Sequence, residues 1–367
     1  MVSVFGSTGF IGKRYCELYP ESVIKIDRED YVPKSSEILF FISTVDNYNI
    51  HKDLHIDIDT NLKVLMSMLE SVDREDPNLV INFVSSWFVY GKNSIMPFHE
   101  DKSQCNPTGF YSITKRCAEQ MLISFCETFN IRYRILRLAN VLGEGDMKIS
   151  RKKNALQFLI KQAVHDEELL LYNGGNAIRD YIYVDDVCDA LNHCMQHAPV
   201  DDIINIGNGK PYVLADIIRK AVSVAGSESK ITNMNPPHFH KVVQVEHSYL
   251  DVSKLRSYGF ESKYSIDDIV TTKMTNQDKT HIINKLTSVH AQREPFYHIE
   301  IDNFFPTELA NKLYEEFPSF DSELWFDYKN KIEDKKLLSD WRKFPKETYQ
   351  AFSFLNSNLV LETLSGM

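Results

Sequence analysis

Through residues 1–206, short apolar segments alternate with longer stretches of helical periodicity, and few folds accommodate that rhythm. "VSVF" is followed by a helix from about Ile11, then come "VIKID", "ILFFIST", a helix near 57–72 and "LVINFVSS". A helix carrying Tyr111 and the strand "YRILRLANV" follow. Apolar strands alternating with helices are expected to fold as right-handed βαβ units in a parallel sheet. Between Asp27 and "ILFFIST" there is room for only a short loop, so one strand–helix unit is expected to be missing. Residues 141–275 are less regular, with helices expected near 154–165, 185–197 and 212–225. Around 273–292 the texture turns polar, which sets an expected domain boundary. Residues 1–275 then form one domain and 276–367 an appended segment, a truncated second domain of α+β type.

The bulk numbers exclude several classes. With 43% hydrophobic and 25% charged residues over 367 positions, the chain reads as a soluble globular protein of more than one domain. A net charge of −10 argues against a nucleic-acid partner. No apolar run approaches the roughly 18 residues that cross a bilayer. "MVSVFGSTG" enters a strand and a glycine turn at once, leaving no room for a signal peptide. Cys16, Cys105, Cys117, Cys126, Cys188 and Cys194 lack paired spacing and read as reduced thiols, so a cytoplasmic location is expected.

"VFGSTGFIG" sets Gly6, Gly9 and Gly12 after the first strand and ahead of a helix. Glycines let the backbone turn tightly against a pyrophosphate, whose charge faces the free N–H groups of a helix start. Asp27 ends the next strand about twenty residues on, where a carboxylate takes ribose hydroxyls. The combination predicts a Rossmann-like dinucleotide site made by Gly6, Thr8, Gly9, Phe10, Ile11 and Gly12 with Asp27 and Arg28. The acid favours NAD over NADP. Read by itself, Asp27 could equally be a surface acid.

"LVINFVSS" ends in Ser85 and Ser86, at a strand end where open α/β sheets bind ligands. Tyr111 and Lys115, an i,i+4 pair, project from one helix face. Taken alone, the serines could bond their own backbone and the pair could merely cover a surface.

Residues 1–272 resemble the extended short-chain dehydrogenases/reductases, in the nucleotide-sugar epimerase/dehydratase branch. The resemblance rests on "GSTGFIG", "SSWFVYG", "YSITK", "RLANVLG", "RDYIYVDDV" and "NIGNG", in that order. It implies a dinucleotide-binding core at about 1–140 and 180–206, with substrate-binding parts at about 141–179 and 207–275. It further implies that Tyr111 is the acid/base, that Lys115 supplies a charge and holds the nicotinamide ribose, and that Ser86 shares the substrate hydroxyl. Ser85 is the lesser candidate. An ordinary phenol titrates near about 10, so a neighbouring ammonium and an oxidised nicotinamide are needed to favour phenolate. Asn140, Asn154 and Arg179 are implied to bind a nucleotide-diphosphate sugar, with Arg179 gripping phosphate as a fork. Read without the family, Arg179 could pair with Asp180 or Asp186. The family's later phosphate-binding arginine has no clear match, Lys241 and His247 standing in its place.

In the dehydratases of this family one or two acids follow the catalytic Ser/Thr, whereas here Trp87 and Phe88 follow Ser86. The expected chemistry is therefore NAD-dependent epimerisation, most like a 4-epimerase, through a keto sugar. A keto-sugar reductase and a non-catalytic nicotinamide-binding scaffold are the alternatives. A homodimer through the helices near 57–72 and 111–128 is implied by the family.

His51, His55 and Asp57 have spacing a metal could use, but the sequence positions no further ligand and no metal is expected. Lys148, Arg151, Lys152 and Lys153 read as a solvated face that could also guide an anion. "PFYHIEIDNFFPTELANKLYEEFP" resembles the N-terminal part of a 2-oxoglutarate/iron(II) dioxygenase. His281, His290 and His298 begin no H-x-D, and the sequence stops at Met367 ahead of that family's metal-binding strands. No oxygenase activity is expected; the segment is a truncated fusion or a docking module.

Overall fold

The computed structural model describes residues 1–93, 95–143, 146, 154–164, 166–225, 227–266, 304–316, 326–329, 334–337, 346–355 and 360. The chain divides into two compact units, Met1–Ile269 and Val270–Met367. The polar stretch at 273–292 and the basic run at 148–153 lie outside the described residues, as do His281, His290 and His298.

The first unit is built on a six-stranded parallel sheet. Its strands are β1 (Val2–Phe5), β2 (Val23–Ile26), β3 (Glu37–Phe40), β4 (Val80–Ser86), β5 (Arg132–Leu138) and β10 (Asp202–Ile206). They lie in the order β10-β5-β4-β3-β1-β2. Short pairs complete the unit: β6 (Asn140–Leu142) with β9 (Tyr181–Tyr183), β7 (Leu169–Tyr172) with β12 (Ile231–Met234), and β8 (Ile178–Arg179) with β11 (Tyr212–Val213).

Both faces of the sheet are covered, which is why a central strand such as β4 is buried almost throughout. On one face α1 (Phe10–Leu18) and α6 (Val184–His197) bury Tyr15, Val187 and Leu191 against Val4, Val84 and Leu136. On the other, α3 (Val64–Ser71) and α4 (Phe110–Phe129) bury Leu65, Met68, Ala118 and Leu122 against Phe40, Ile81 and Phe83. The helix expected near 57–72 begins as α2 (Ile56–Ile58) and passes through a π turn, Asp59–Lys63, into α3. The expected helices further on are α5 (Ala155–Val164), α6 and α7 (Leu214–Ala225), followed by the short α8 (His238–Val243) and α9 (Ser253–Ser257).

Residues 27–36 form a helix-free loop, so the chain returns from the edge strand β2 to β3 on the far side of β1. The strand order therefore reverses beside β1, and a crevice opens at the carboxyl ends of β1, β3 and β4. All six cysteines are free. Among the described residues no helix is long and apolar enough to cross a membrane.

The second unit contains helices Thr307–Glu316 and Lys346–Leu355 and an antiparallel hairpin of β13 (Phe326–Lys329) and β14 (Asp334–Leu337). Leu309, Phe354 and Val360 form its small core, with Phe304 and Phe305 against it.

Candidate active site

The glycine turn sits at the end of β1. Gly6 has φ +82°, a left-handed conformation that glycine adopts without strain. The Gly9 amide donates to the Gly6 carbonyl at 3.0 Å, and Gly9 caps α1 without a side chain. A Cβ on Gly12 would lie 2.3 Å from the Gly6 carbonyl oxygen, so only hydrogen fits between helix and turn. Thr8 and Gly9 are exposed while Phe10 and Ile11 are half-buried. The first amides of α1 lack partners within the helix and, with its dipole, favour an anion there. Asp27 and Arg28 stand exposed directly after β2. Anion-seeking amides, a turn with no room for side chains and a carboxylate at the next strand end fit a dinucleotide with free ribose hydroxyls.

Successive strand residues face opposite sides, and that decides between the two serines. The Ser85 hydroxyl is buried and donates to Glu119 Oε1 at 2.6 Å. Ser86 is half-buried, accepts the Phe88 amide at 3.3 Å and lies beside the Tyr111 phenol, where it helps to hold the phenol's pKa down. Tyr111 and Lys115 lie one turn apart on α4, both buried. The Lys115 ammonium donates to the Val84 carbonyl at 2.7 Å and rests 4.1 Å over the Phe83 ring. Ser86, distant in sequence from the Tyr111–Lys115 pair, thus meets it at the end of β4.

Burial pushes the Tyr111 phenol above its ordinary value, opposed by hydrogen bonds to Ser86 and Ser43 and reinforced by the Asp57 carboxylate. Burial also pushes Lys115 down to about 7, with Glu119 opposing. The resemblance implies that the Lys115 ammonium lowers the phenol; in the structure burial dominates, and the groups opposing it are Ser86 and Ser43.

Ser43 was missed in the sequence, although it ends "ILFFIS" at a strand terminus, the position rule that singled out Ser86. It belongs to a buried network in which Asn61 accepts from Ser43 at 3.1 Å and donates to Thr114 at 2.9 Å. Asp57 accepts from Asn49 and Thr44 in the same network. His51 packs edge-on against Phe239 at 4.4 Å.

On the substrate side, Trp87 and Phe88 stack at 3.9 Å, and the Phe88 ring stands edge-on to Tyr111 at 6.1 Å. Arg179 lies 5.5 Å over Trp87 and donates to the carbonyls of Ile178, Val245 and Glu246. The carboxylates that could have paired with it are engaged elsewhere. Asp180 accepts the Asn208 and Gly209 amides, and Asp186 those of Lys263 and Tyr264. The Asn140 amide group donates to the Asp180 carbonyl at 2.9 Å, and Asn154 to that of Val141 at 3.1 Å. The fork of Arg179 and both asparagine amides are therefore spent on backbone carbonyls in this arrangement. His247 accepts the Ile178 amide at 3.3 Å, and the Lys241 side chain is exposed.

Helix α8 reaches back to the nucleotide-binding half, where the Tyr48 hydroxyl meets His240 Nδ1 at 2.9 Å. Burial, then the Arg179 charge, pushes His240 from 6.5 down to about 4, so the imidazole that meets Tyr48 is neutral. Between those values the unfolded chain binds more protons, so this histidine's contribution to stability rises with pH across the window. The stability difference between wild type and His240→Gln is expected to shift toward wild type by about 1–2 kcal/mol over that range, discounted for partial exposure. Paired thermal melts at the two ends of the window check it; a pH-independent difference refutes it.

Residues 42–207 match the NAD dependent epimerase/dehydratase family. A putative UDP-glucose 4-epimerase of Methanocaldococcus jannaschii is 27% identical over 231 residues, covering 61% of this chain and 72% of that protein. The low-salt glycan biosynthesis protein Agl12 of Haloferax volcanii is 23% identical over 304 residues, covering 73% of this chain and 95% of its own length. The fold is similar to the crystal structure of Thermotoga maritima UDP-glucose 4-epimerase with UDP-glucose, at TM-score 0.66 and 21% identity over 74% of this chain and 96% of that one. It is also similar to a dTDP-glucose 4,6-dehydratase of Streptomyces venezuelae, at TM-score 0.63 and 18% identity over 74% and 94% of the two chains.

Proposed function

We propose that this chain, an enzyme with a domain of the NAD-dependent epimerase/dehydratase family, inverts one carbon of a nucleotide-diphosphate sugar, most like a 4-epimerase. Gly6, Thr8, Gly9, Phe10, Ile11 and Gly12 would hold the NAD pyrophosphate, Asp27 the adenosine ribose with Arg28 beside it, and Lys115 the nicotinamide ribose. Bound there, NAD would supply reversible hydride exchange with the sugar carbon. The remaining work falls to the protein. Ser86 shares the substrate hydroxyl with Tyr111 and orients it, and Tyr111 takes and returns that hydroxyl's proton. Lys115, when protonated, favours the phenolate that makes this transfer possible. Asn140, Asn154 and Arg179 are proposed for the diphosphate end, which requires that they exchange backbone carbonyls for phosphate oxygens.

The observation that carries the reading is the placement of Ser86 beside the Tyr111 phenol at the end of β4, with aromatic, not acidic, successors to Ser86. Elimination of water needs a proton handler next to the reacting carbon, and Trp87 and Phe88 supply none, so epimerisation is favoured over dehydration. The rival readings are a keto-sugar reductase and a nicotinamide-binding scaffold. Screening UDP-, GDP-, CDP- and dTDP-sugars for thermal stabilisation with NAD, then following the stabilising sugar by NMR, separates them. Inversion without net change in NAD supports the proposal. Net oxidation of NAD(P)H with a keto sugar supports the reductase, loss of water overturns the choice against dehydration, and NAD binding without turnover supports the scaffold.

A homodimer through α3 and α4, where Met66, Met121 and Phe125 line an apolar groove, is part of the proposal, as is a cytoplasmic location. For residues 276–367 the reading is a packing or docking module. Iron-dependent turnover of 2-oxoglutarate by the 367-residue protein would overturn that.

A further inference from the structure

Residues 111, 115 and 119 lie at successive i,i+4 positions on α4 and share one face. That face grips the end of β4 three times over. Tyr111 lies beside Ser86, the Lys115 ammonium bonds the Val84 carbonyl, and Glu119 accepts from the Ser85 hydroxyl. Glu119 is also the hub of a buried knot. Arg137, paired with Ser85 across β4 and β5, donates to both carboxylate oxygens at 3.0 and 2.7 Å. Arg116 adds a contact at 2.8 Å. A carboxylate fully withdrawn from water is costly unless charge partners compensate it, and two guanidinium groups do so here. A structural ion pair alone would not need to sit one turn below Lys115 with its remaining capacity spent on the serine next to Ser86.

We propose that Glu119 is a positioning residue for the reaction proposed above: it fixes Ser86 and the Val84 carbonyl against the helix that carries Tyr111 and Lys115, and its charge sustains the ammonium form of Lys115. Around Lys115 stand Glu119, one turn further along its own helix and itself held by Arg116 and Arg137, and on β4 the Val84 carbonyl and the Phe83 ring. Of these, Glu119 is the group that opposes the downward push of burial on Lys115. Replacing the carboxylate removes that opposition and leaves Arg137 and Arg116 less compensated. Both changes move Lys115 in the same direction, toward the neutral amine.

The test requires neither sugar nor cofactor. The full chain is labelled with ¹³Cε-lysine, the Lys115 signal is assigned by its loss in Lys115→Arg, and its titration is followed by NMR. Wild type is expected to titrate near pH 7. Glu119→Gln is expected to shift the midpoint to lower pH by about one unit or more, and Glu119→Asp, which keeps the charge, to restore most of it. An unmoved midpoint in a folded Glu119→Gln protein overturns the electrostatic claim. Ser85→Ala provides the second arm, which survives if Glu119→Gln does not fold. It keeps every charge, so the Lys115 midpoint should hold while turnover of the sugar identified by screening falls roughly 3–30-fold. Unchanged turnover in Ser85→Ala overturns the positioning claim. If no sugar turns over in wild type, the functional reading fails, whereas the titration still decides the electrostatic claim.

Discussion

Tyr111→Phe is expected to lower turnover of the accepted nucleotide sugar by about 10²–10⁴-fold, with NAD binding kept. The substitution removes one oxygen and leaves the ring edge-on to Phe88, so the packing of α4 on β4 survives. What is lost is the group that exchanges a proton with the substrate hydroxyl beside Ser86. Steady-state kinetics with calorimetry of NAD binding distinguishes this from misfolding. Turnover within a few-fold of wild type in a well-folded variant would remove Tyr111 from the acid/base role. A parallel drop in NAD affinity would instead assign it to cofactor binding.

The second large effect is expected at the opposite end of the crevice. In Gly12→Ala the new methyl would sit 2.3 Å from the Gly6 carbonyl oxygen, a backbone atom that cannot rotate away. Either α1 slides off β1 or the turn opens, and both displace the amides that face the pyrophosphate. Overpacking of this kind costs about 1–3 kcal/mol, which in a unit of this size lowers Tm by roughly 2–12 °C. NAD affinity is expected to fall by at least about 10-fold, since a few tenths of an ångström misaligns several hydrogen bonds together. Isothermal titration and thermal melts read the two effects separately. Wild-type affinity in Gly12→Ala would mean that this turn does not hold the cofactor.

The sheet was legible because its strands are buried on both faces. "VINFVSS" has to be interior, and no alternating pattern competes with that reading. The short connection after Asp27 was legible for a simpler reason, since ten residues cannot pass through a helix and return. The glycine turn and the Tyr111–Lys115 spacing are local patterns and could be read as such. The surroundings of those residues could not. That Ser85 turns to Glu119 and Ser86 to Tyr111 depends on the face each presents, which chain order fixes only once the strand's neighbours are known. The same holds for Ser43, which approaches Tyr111 from the loop after β3, and for Arg179, whose partners are carbonyls and not the acids beside it in sequence. The direction of the Tyr111 shift also escaped the sequence, because burial depth is a tertiary property.

The division of labour between Ser85 and Ser86 carries an evolutionary corollary. Slipping β4 by a single step would turn both hydroxyls to the wrong face and leave at least one of their two tasks unfilled, dismantling the buried knot and the crevice together. Length changes should therefore accumulate in the connections around this strand, while indels within positions 80–86 should be close to forbidden.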